Sequence, residues 1–342
     1  MKYHFASDNT AGVCPEAWEA MQQANDVDYL PSYGNDRFTE EASNLFRDLF
    51  ETDCDVYFVF NGTAANSVAL ASICQSYHSI IAHEKAHIEV DECGAPQFFS
   101  NGTKLLLSRG EHGKMKPKEV EKIITYRDDI HYPKPKVVSL TQSTEVGTIY
   151  QPSEVQALCE LANEHNMNVH MDGARFANVV AALKVAPKEL TWKTGVDVLC
   201  FGGTKQGMAM TEAVIFFNHE LSKEFGHRCK QAGQLASKMR FLAASWIPML
   251  KNGTWLKHAA HSNACAQRLA KELEAIPGMK ILHPVETNGV FVSMPEHIHE
   301  GLTKVGWRYY TFIGGGARLM CSWRTTDAEI DALLNDIRSL LK

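Results

Sequence analysis

"NVHMDGARFANVVAALK", residues 168–184, changes from a short apolar run into an amphipathic helical pattern. The same order occurs where CDVYFVF precedes NGTAANSVALASICQ and where KVVSLTQ precedes SEVQALCELANEHN. Two further strand patterns are VDVLCFGG and EAVIFFN. This alternation predicts an α/β fold with a mostly parallel sheet covered by helices.

The pattern changes after about Ser222. Helical periodicity predicts long helices over 233–252 and 254–276, followed by the short strands GVFVSM, YYTFI and ARLMCSW and a last helix capped by Thr326. We therefore expect an N-terminal arm (1–20), a large domain (21–240) and a smaller C-terminal α+β domain (241–342).

Composition narrows the class of partner. The chain has 342 residues with 34 Lys and Arg against 40 Asp and Glu, a net charge of −6. The chain has no run of Lys and Arg long enough to indicate nucleic-acid binding. It also has no uncharged apolar stretch long enough to span a membrane. The N-terminus has no apolar signal region, so we expect a cytoplasmic protein. Nine cysteines without a C-x-x-C pair indicate reduced structural thiols.

Ligands of open parallel sheets bind beyond the carboxyl ends of the strands, so residues directly after each apolar run matter most. Gly62 and Thr63 follow one strand pattern and begin a helix, where free N–H groups can hold a phosphate. The alternative is a turn with Asn61 or Thr63 as the helix N-cap. Asp172 ends another strand and either caps a helix, pairs with Arg175, or keeps a ring nitrogen protonated.

Lys205 follows a third strand pattern, in VDVLCFGGTKQGMAM (196–210). A lysine there ordinarily extends to solvent, but Gly202, Gly203 and Gly207 are expected to leave room for another molecule beside it. A desolvated amine attacks carbonyls readily. A phosphate cradle, then Asp172, then Lys205 33 residues later, has the order and spacing of a pyridoxal phosphate site.

The chain resembles the threonine aldolases of the pyridoxal phosphate fold type I group, in the aldolase and β-eliminating lyase superfamily. The resemblance rests on FASDNTAG (5–12), SYGNDRFTEEA (32–42), FVFNGTAAN (58–66), HEKAHIEVDECGAP (83–96), VHMDGARFAN (169–178), FGGTKQG (201–207) and ARLMCSW (317–323). Residues 91–105 and 141–150 are most similar to the low-specificity branch that includes phenylserine aldolases. The resemblance implies the fold type I architecture, with a mostly parallel sheet in the large domain.

The resemblance also implies roles for individual residues. Lys205 would carry pyridoxal phosphate as a Schiff base, and Asp172 would pair with the pyridinium nitrogen. The phosphate would be held by Gly62 and Thr63, with Thr204 as a further contact. His87 would stack on the cofactor ring.

Two further groups match family positions. The substrate carboxylate would be held by Ser7, Arg175 and Arg318. Tyr33 and either Arg228 or Lys230 would reach into the neighbouring subunit's site. A dimer or tetramer with active sites at the dimer interface is therefore implied.

The implied reaction is retro-aldol cleavage of L-β-hydroxy-α-amino acids to glycine and an aldehyde, through a quinonoid intermediate. L-Threonine, L-allo-threonine and L-phenylserine are the candidate substrates. His87 is either the base for the β-hydroxyl or only a stacking group. Ser143, Thr144 and Glu145 stand where many family members have a second histidine, which leaves the base open.

Four other interpretations compete. Another pyridoxal phosphate lyase of the superfamily would catalyse β-elimination. HEKAH, with His83 and His87, matches a zinc-peptidase pattern, but it follows a strand-like run and lacks an obvious third ligand. FIGGGARL lacks dinucleotide-binding spacing and favours turn or strand-edge glycines. A non-catalytic binding module is disfavoured, because burying this set of lysine, aspartate and arginines without a ligand would cost free energy. We predict no metal-ligating residues.

Overall fold

The computed structural model describes residues 1–312 and 316–341, and all strands and helices below lie within them. The strands are β1 (Asp55–Val59), β2 (His78–His83), β3 (Lys104–Ser108), β4 (Lys134–Thr141), β5 (Asn168–Gly173), β6 (Val198–Gly202), β7 (Glu212–Phe216), β8 (Lys280–Ile281), β9 (Gly289–Ser293), β10 (Tyr310–Phe312) and β11 (Gly316–Met320).

The α-helices are α1 (Pro15–Asn25), α2 (Arg37–Phe50), α3 (Gly62–Ile73), α4 (His87–Val90), α5 (Ala95–Phe99), α6 (Pro117–Ile124), α7 (Pro152–Glu164), α8 (Phe176–Leu183), α9 (Phe225–Gln231), α10 (Arg240–Ala243), α11 (Trp246–Lys251), α12 (Thr254–Glu274), α13 (Glu296–Lys304) and α14 (Asp327–Leu340).

The large sheet has the strand order β1–β7–β6–β5–β4–β2–β3. The pairs β2 with β3, β2 with β4, β4 with β5, and β5 with β6 are parallel. Strand β7 is antiparallel to both of its neighbours, β1 and β6. The expected α/β fold with a mostly parallel sheet is therefore confirmed.

A second sheet, in the order β10–β11–β9–β8, forms in the C-terminal part of the chain and pairs antiparallel throughout. Helices α12, α13 and α14 contribute apolar residues to its core. Thr326 caps α14 as predicted, because its hydroxyl accepts from Glu329 N while the Glu329 carboxylate accepts from Thr326 N.

The helical prediction for 233–252 is wrong in extent. Gly233 has φ +71°, and the segment forms only the short helices α10 and α11. Pro248 lacks an N–H group and is tolerated in the first turn of a helix, so the helix restarts just before it. The short strands β3 and β8 were not predicted, since neither sequence shows a long apolar run.

Helix α12 joins the two apolar cores. Trp255 and Ala259 belong to the core of the large sheet, whereas Leu269 and Leu273 belong to the core of the small sheet. Phe5, from the other end of the chain, also packs in the small-sheet core. The domain boundaries at 20 and 240 stay predictions.

Three sequence features can be placed directly. All nine cysteines are free and eight are buried, which agrees with reduced structural thiols. Among the helices of the described residues, none combines the length and apolarity required to cross a membrane. In FIGGGARL, residues 313–315 lie outside the described residues, and Gly316 begins β11.

Candidate active site

The carboxyl ends of β4, β5 and β6 bring the predicted site residues to one edge of the large sheet. Asp172 in β5 is paired in register with Thr141 of β4 and Cys200 of β6. The turn that contains Lys205, Thr204–Gln206, follows β6 after one residue. Helix α3 begins two residues after β1 ends.

The N-terminus of α3 is capped by Asn61, whose side-chain oxygen accepts from Ala64 N at 2.8 Å. This settles the choice between Asn61 and Thr63 as the cap. Gly62 is the first residue of the helix, and a Cβ there would meet no atom within 4 Å. An open space therefore stands over the positive end of the α3 dipole, where an anion binds favourably.

Asp172 is buried and held by two hydrogen bonds. One carboxylate oxygen accepts from Asn66 Nδ2 at 3.0 Å, and the other accepts from Ala174 N at 3.0 Å. Its expected alternative pairing with Arg175 is not found, because the guanidinium binds Asp8 instead. A carboxylate accepts about four hydrogen bonds, so Asp172 retains capacity for a further donor.

His87 begins α4 and is tied to the Asp172 network through Glu92. His87 Nδ1 lies 2.8 Å from Glu92 Oε1, and the same oxygen accepts from Asn66 Nδ2 at 2.8 Å. Burial on its own lowers the pKa of His87. The hydrogen bond with Glu92 and the negative charges of Glu145 and Asp172 together outweigh burial, so the pKa of the imidazole rises to about 9.

Lys205 is half-buried and lies close to two acidic groups. Its charge helps to lower the pKa values of Asp8 and Glu212. Glu212 is buried and accepts from Gly203 N at 2.7 Å. Burial nevertheless raises the pKa of Glu212 to about 7. Thr204 accepts from Thr211 N at 3.3 Å and so braces the turn.

The glycines around Lys205 do not leave room for another molecule, contrary to the expectation. A Cβ at Gly202 would lie 2.3 Å from Ala174 O, and one at Gly203 would lie 2.6 Å from Thr211 O. Gly207 has φ +102°, a backbone conformation that favours glycine. These positions are glycine because the protein's own backbone packs closely there.

Arg175 and Asp8 form a buried, two-pronged ion pair. Arg175 Nε donates to one oxygen of Asp8 at 2.7 Å, and Nη2 donates to the other at 2.9 Å. Asn288 Nδ2 adds a third hydrogen bond to Asp8 at 3.1 Å. Burial on its own raises the pKa of Asp8, but the charges of Arg175 and Lys205 hold it well below its usual range.

The other predicted substrate-binding residues lie around this pair. Ser7 is buried, and its hydroxyl lies 3.4 Å from an Asp8 carboxylate oxygen. The Arg318 guanidinium lies 5.0 Å from the centre of the Tyr310 ring. Burial, followed by the charge of Arg175, lowers the pKa of Arg318.

Tyr33, Arg228 and Lys230 lie at the periphery. Tyr33 is 46% exposed, and Lys230 Nζ lies 4.8 Å from the centre of its ring. Arg228 is half-buried on α9, one turn from the N-terminus of that helix. The structure thus brings Tyr33 and Lys230 together.

The zinc-peptidase pattern lacks the geometry it requires. His83 ends strand β2, whereas His87 begins helix α4, so the two histidines do not share a helix. His83 Nδ1 accepts from Lys85 N, and its Nε2 lies 3.1 Å from Gly110 O. Both nitrogens of His83 are therefore used in a turn.

Comparison with known proteins decides the family. A family model described as Beta-eliminating lyase matches residues 4–297. The chain is 58% identical, over 338 residues, to a low specificity L-threonine aldolase from a Pseudomonas species. That alignment covers 98% of this chain and 97% of the relative.

The chain belongs to the threonine aldolase family. A low specificity L-threonine aldolase from Pseudomonas aeruginosa is 57% identical over 338 residues and has the same coverage of both chains. A Leishmania major threonine aldolase structure superposes with a TM-score of 0.92 at 26% identity, covering 100% of both chains. Threonine aldolases are pyridoxal-phosphate-dependent lyases of fold type I, so this chain is an enzyme of that class.

Four residues of this threonine aldolase site were not singled out from the sequence: Asp8, Asn66, Glu92 and Glu212. Asp8, Asn66 and Glu92 lie in the motifs that carry the family resemblance, each within five positions of a predicted residue, and Glu212 begins the strand pattern EAVIFFN. The sequence signal for Glu92 is an acidic residue five positions after a predicted histidine, which is close enough to pair with it.

Proposed function

We propose that this threonine aldolase cleaves L-β-hydroxy-α-amino acids to glycine and an aldehyde by a retro-aldol reaction. Lys205 would carry pyridoxal phosphate as a Schiff base. The observation that supports this most strongly is the meeting of Lys205, Asp172 and the open N-terminus of α3 at one edge of the sheet. Such an edge is where open α/β sheets bind their ligands.

The residues present fit the cofactor. Gly62 leaves space at the N-terminus of α3 for the phosphate, with Thr63 as a hydroxyl donor and Thr204 as a further contact. Asp172 is anchored by Asn66 and keeps an acceptor for a protonated ring nitrogen. When bound, pyridoxal phosphate supplies the electron sink for the bond that breaks at the substrate Cα.

Arg175 and Arg318 would hold the substrate carboxylate with Ser7. Asp8 accepts hydrogen bonds from Nε and Nη2 of Arg175, so Nη1 is the guanidinium nitrogen that does not bind Asp8. A guanidinium held in one orientation selects the carboxylate position and thereby which Cα bond is aligned for cleavage. Cleavage of the Cα–Cβ bond instead of β-elimination depends on this alignment.

His87 and Glu145 would divide the remaining roles. A pKa of about 9 keeps His87 protonated at neutral pH, and a protonated imidazole does not accept a proton. The charge of Glu145 acts on His87, Arg175 and Arg318, which indicates that its carboxylate faces the same space. We therefore infer that His87 stacks on the cofactor ring and that Glu145 accepts the β-hydroxyl proton.

The proposed substrates are L-threonine, L-allo-threonine and L-phenylserine. The two Pseudomonas relatives carry the name low specificity L-threonine aldolase, which supports tolerance at the β-carbon. We also propose a homodimer or tetramer in which Tyr33 and Arg228 or Lys230 reach the neighbouring site. The exposed rings of Trp18, Tyr29 and Tyr33 favour such an interface.

The visible spectrum of the purified protein and of Lys205→Ala tests the proposal. The wild type should show a Schiff-base band that borohydride fixes at Lys205, and it should release glycine and aldehyde from L-threonine in equal amounts. Lys205→Ala should lose turnover. The control Lys188→Ala changes a lysine that forms an ion pair with Glu51, and it should keep turnover. A wild-type protein without a band after addition of pyridoxal phosphate would contradict the proposal.

A further inference from the structure

Three metal-binding side chains meet beside the turn that contains Lys205. The Cys14 sulfur, a carboxylate oxygen of Glu16 and a ring nitrogen of His258 all lie within 4.8 Å of one another. Cys14 is buried, whereas Glu16 and His258 are half-buried, so solvent reaches one side of the cluster. The proposed aldol reaction uses none of the three.

The hydrogen bond of the His258 ring leaves one ring nitrogen available to bind a metal ion. Its Nδ1 lies 2.8 Å from Gln206 O, and because a carbonyl oxygen only accepts, Nδ1 must donate. This fixes the tautomer in which Nε2 carries the lone pair, the arrangement typical of metal-bound histidines. The ring also stacks on Trp323, with centroids 5.2 Å apart and an angle of 25° between the planes.

Cys14 and Glu16 supply the other two ligand types. Cys14 precedes α1, its N–H donates to Gly207 O at 2.8 Å, and Glu16 lies in the first turn of that helix. Burial raises the pKa of the Cys14 thiol to about 11, and the carboxylate of Glu16 adds to the shift. The thiol therefore keeps its proton until a metal ion binds the sulfur, and the proton is then released to solvent.

We propose that Cys14, Glu16 and His258 form a binding site for Zn²⁺. Sulfur, imidazole nitrogen and carboxylate oxygen are the ligands that Zn²⁺ takes in proteins, and a water completes a tetrahedral set. A tetrahedral zinc ion holds its ligand atoms about 3.5 Å apart, and the three atoms here lie within 4.8 Å of one another, so the side chains close by at most about 1.3 Å on binding. Metal binding replaces the S–H bond of Cys14 with a zinc–sulfur bond and releases one proton.

The site is coupled to the catalytic lysine through the backbone. His258 bonds the carbonyl of Gln206 and Cys14 bonds the carbonyl of Gly207, which are the two residues directly after Lys205. An ion that links α1 to α12 at this point fixes both carbonyl contacts. Zinc therefore restrains the Lys205 turn without touching the substrate.

Equilibrium dialysis of the holoenzyme against ZnCl₂, with metal quantified by mass spectrometry, tests the site. We expect one Zn²⁺ per chain in the wild type and in Cys93→Ser, which changes an exposed thiol. Affinity should fall at least tenfold in Cys14→Ser and in His258→Asn. With Cd²⁺ in place of Zn²⁺, a thiolate charge-transfer band should form in the wild type and in Cys93→Ser but not in Cys14→Ser.

Glu16→Gln tests the site independently in case the buried Cys14 variant misfolds, because glutamine keeps the shape of the half-buried Glu16 side chain. An unaltered cofactor band shows that each variant is folded. Equal zinc affinity in the wild type, Cys14→Ser and Glu16→Gln would overturn the site. Hydrogen exchange should slow at least threefold in a peptide covering 204–211 on zinc addition; zinc binding that leaves this exchange unchanged would overturn the coupling.

Discussion

At the scale of single residues, the charge of His87 makes a direct prediction about stability. The pKa of His87 is about 9 in the folded protein against 6.5 for the unperturbed group, so the folded state binds this proton more tightly. The stabilisation is fully present below pH 6.5 and is lost as the pH rises through 9. We expect His87→Asn to lower the free energy of unfolding by roughly 3 kcal/mol more at about pH 6 than at about pH 9.5.

Urea unfolding at the two pH values measures this difference. His165→Asn, a change of an exposed histidine at the end of α7, is the matched control and should show the same small effect at both. If His87→Asn destabilised the protein equally at both pH values, the raised pKa would be incorrect.

The base assignment makes the second prediction at this scale. Glu145→Gln removes a carboxylate that can accept the β-hydroxyl proton, so turnover of L-threonine should fall about 10² to 10⁴-fold with the cofactor band retained. Glu89→Gln changes an exposed residue of α4 and should leave turnover within a factor of two. A large loss in His87→Phe with near-normal turnover in Glu145→Gln would assign the base to His87 instead.

At the scale of elements, the start of α3 predicts how cofactor affinity and stability separate. A methyl group at Gly62 meets no protein atom, and alanine is the better helix former. Gly62→Ala should therefore keep or slightly raise the free energy of unfolding without cofactor, yet weaken pyridoxal phosphate binding about tenfold by narrowing the phosphate space. Fluorescence titration of the apoenzyme measures the affinity.

Gly226→Ala is the matched control for this prediction. Gly226 lies in helix α9, and a Cβ there also meets nothing within 4 Å. Its substitution should leave the affinity for pyridoxal phosphate unchanged. A Gly62→Ala variant that bound the cofactor as tightly as the wild type would show that the phosphate lies elsewhere.

The sequence predicted the ends of strands better than the partners of side chains. β5 ends one residue after Asp172 and β6 ends three residues before Lys205, because apolar runs are bounded by turn residues. The partner of Arg175 was not predictable by periodicity, since Asp8 lies 167 positions away. The helix predicted over 233–252 is too long because that prediction followed the apolar periodicity and did not allow for Gly233 and Pro248.

At the scale of the whole molecule, the proposed shared sites predict complementation between two inactive variants. Lys205→Ala lacks the amine proposed to carry the cofactor. The double change Tyr33→Ala, Lys230→Ala removes the side chains proposed to reach the other subunit. In a random mixture, half of the dimers combine both variants and each has one intact site. Co-expression should therefore restore about a quarter of wild-type activity.

Sedimentation establishes that both variants are dimers or tetramers before activity is compared. If Tyr33 and Lys230 acted within their own chain, every mixed dimer would have two damaged sites. Co-expression would then restore no activity above the two variants assayed separately.

The packing of the N-terminal segment sets an order of completion during synthesis on the ribosome. Phe5 packs in the small-sheet core, Phe5 O accepts from Met320 N, and Lys2 pairs with Asp336. Residues 2–5 are thus anchored by residues more than 300 positions later in the chain. Since Ser7 and Asp8 belong to the same segment, the proposed carboxylate-binding corner reaches its final packing only after the chain through Asp336 has been synthesised.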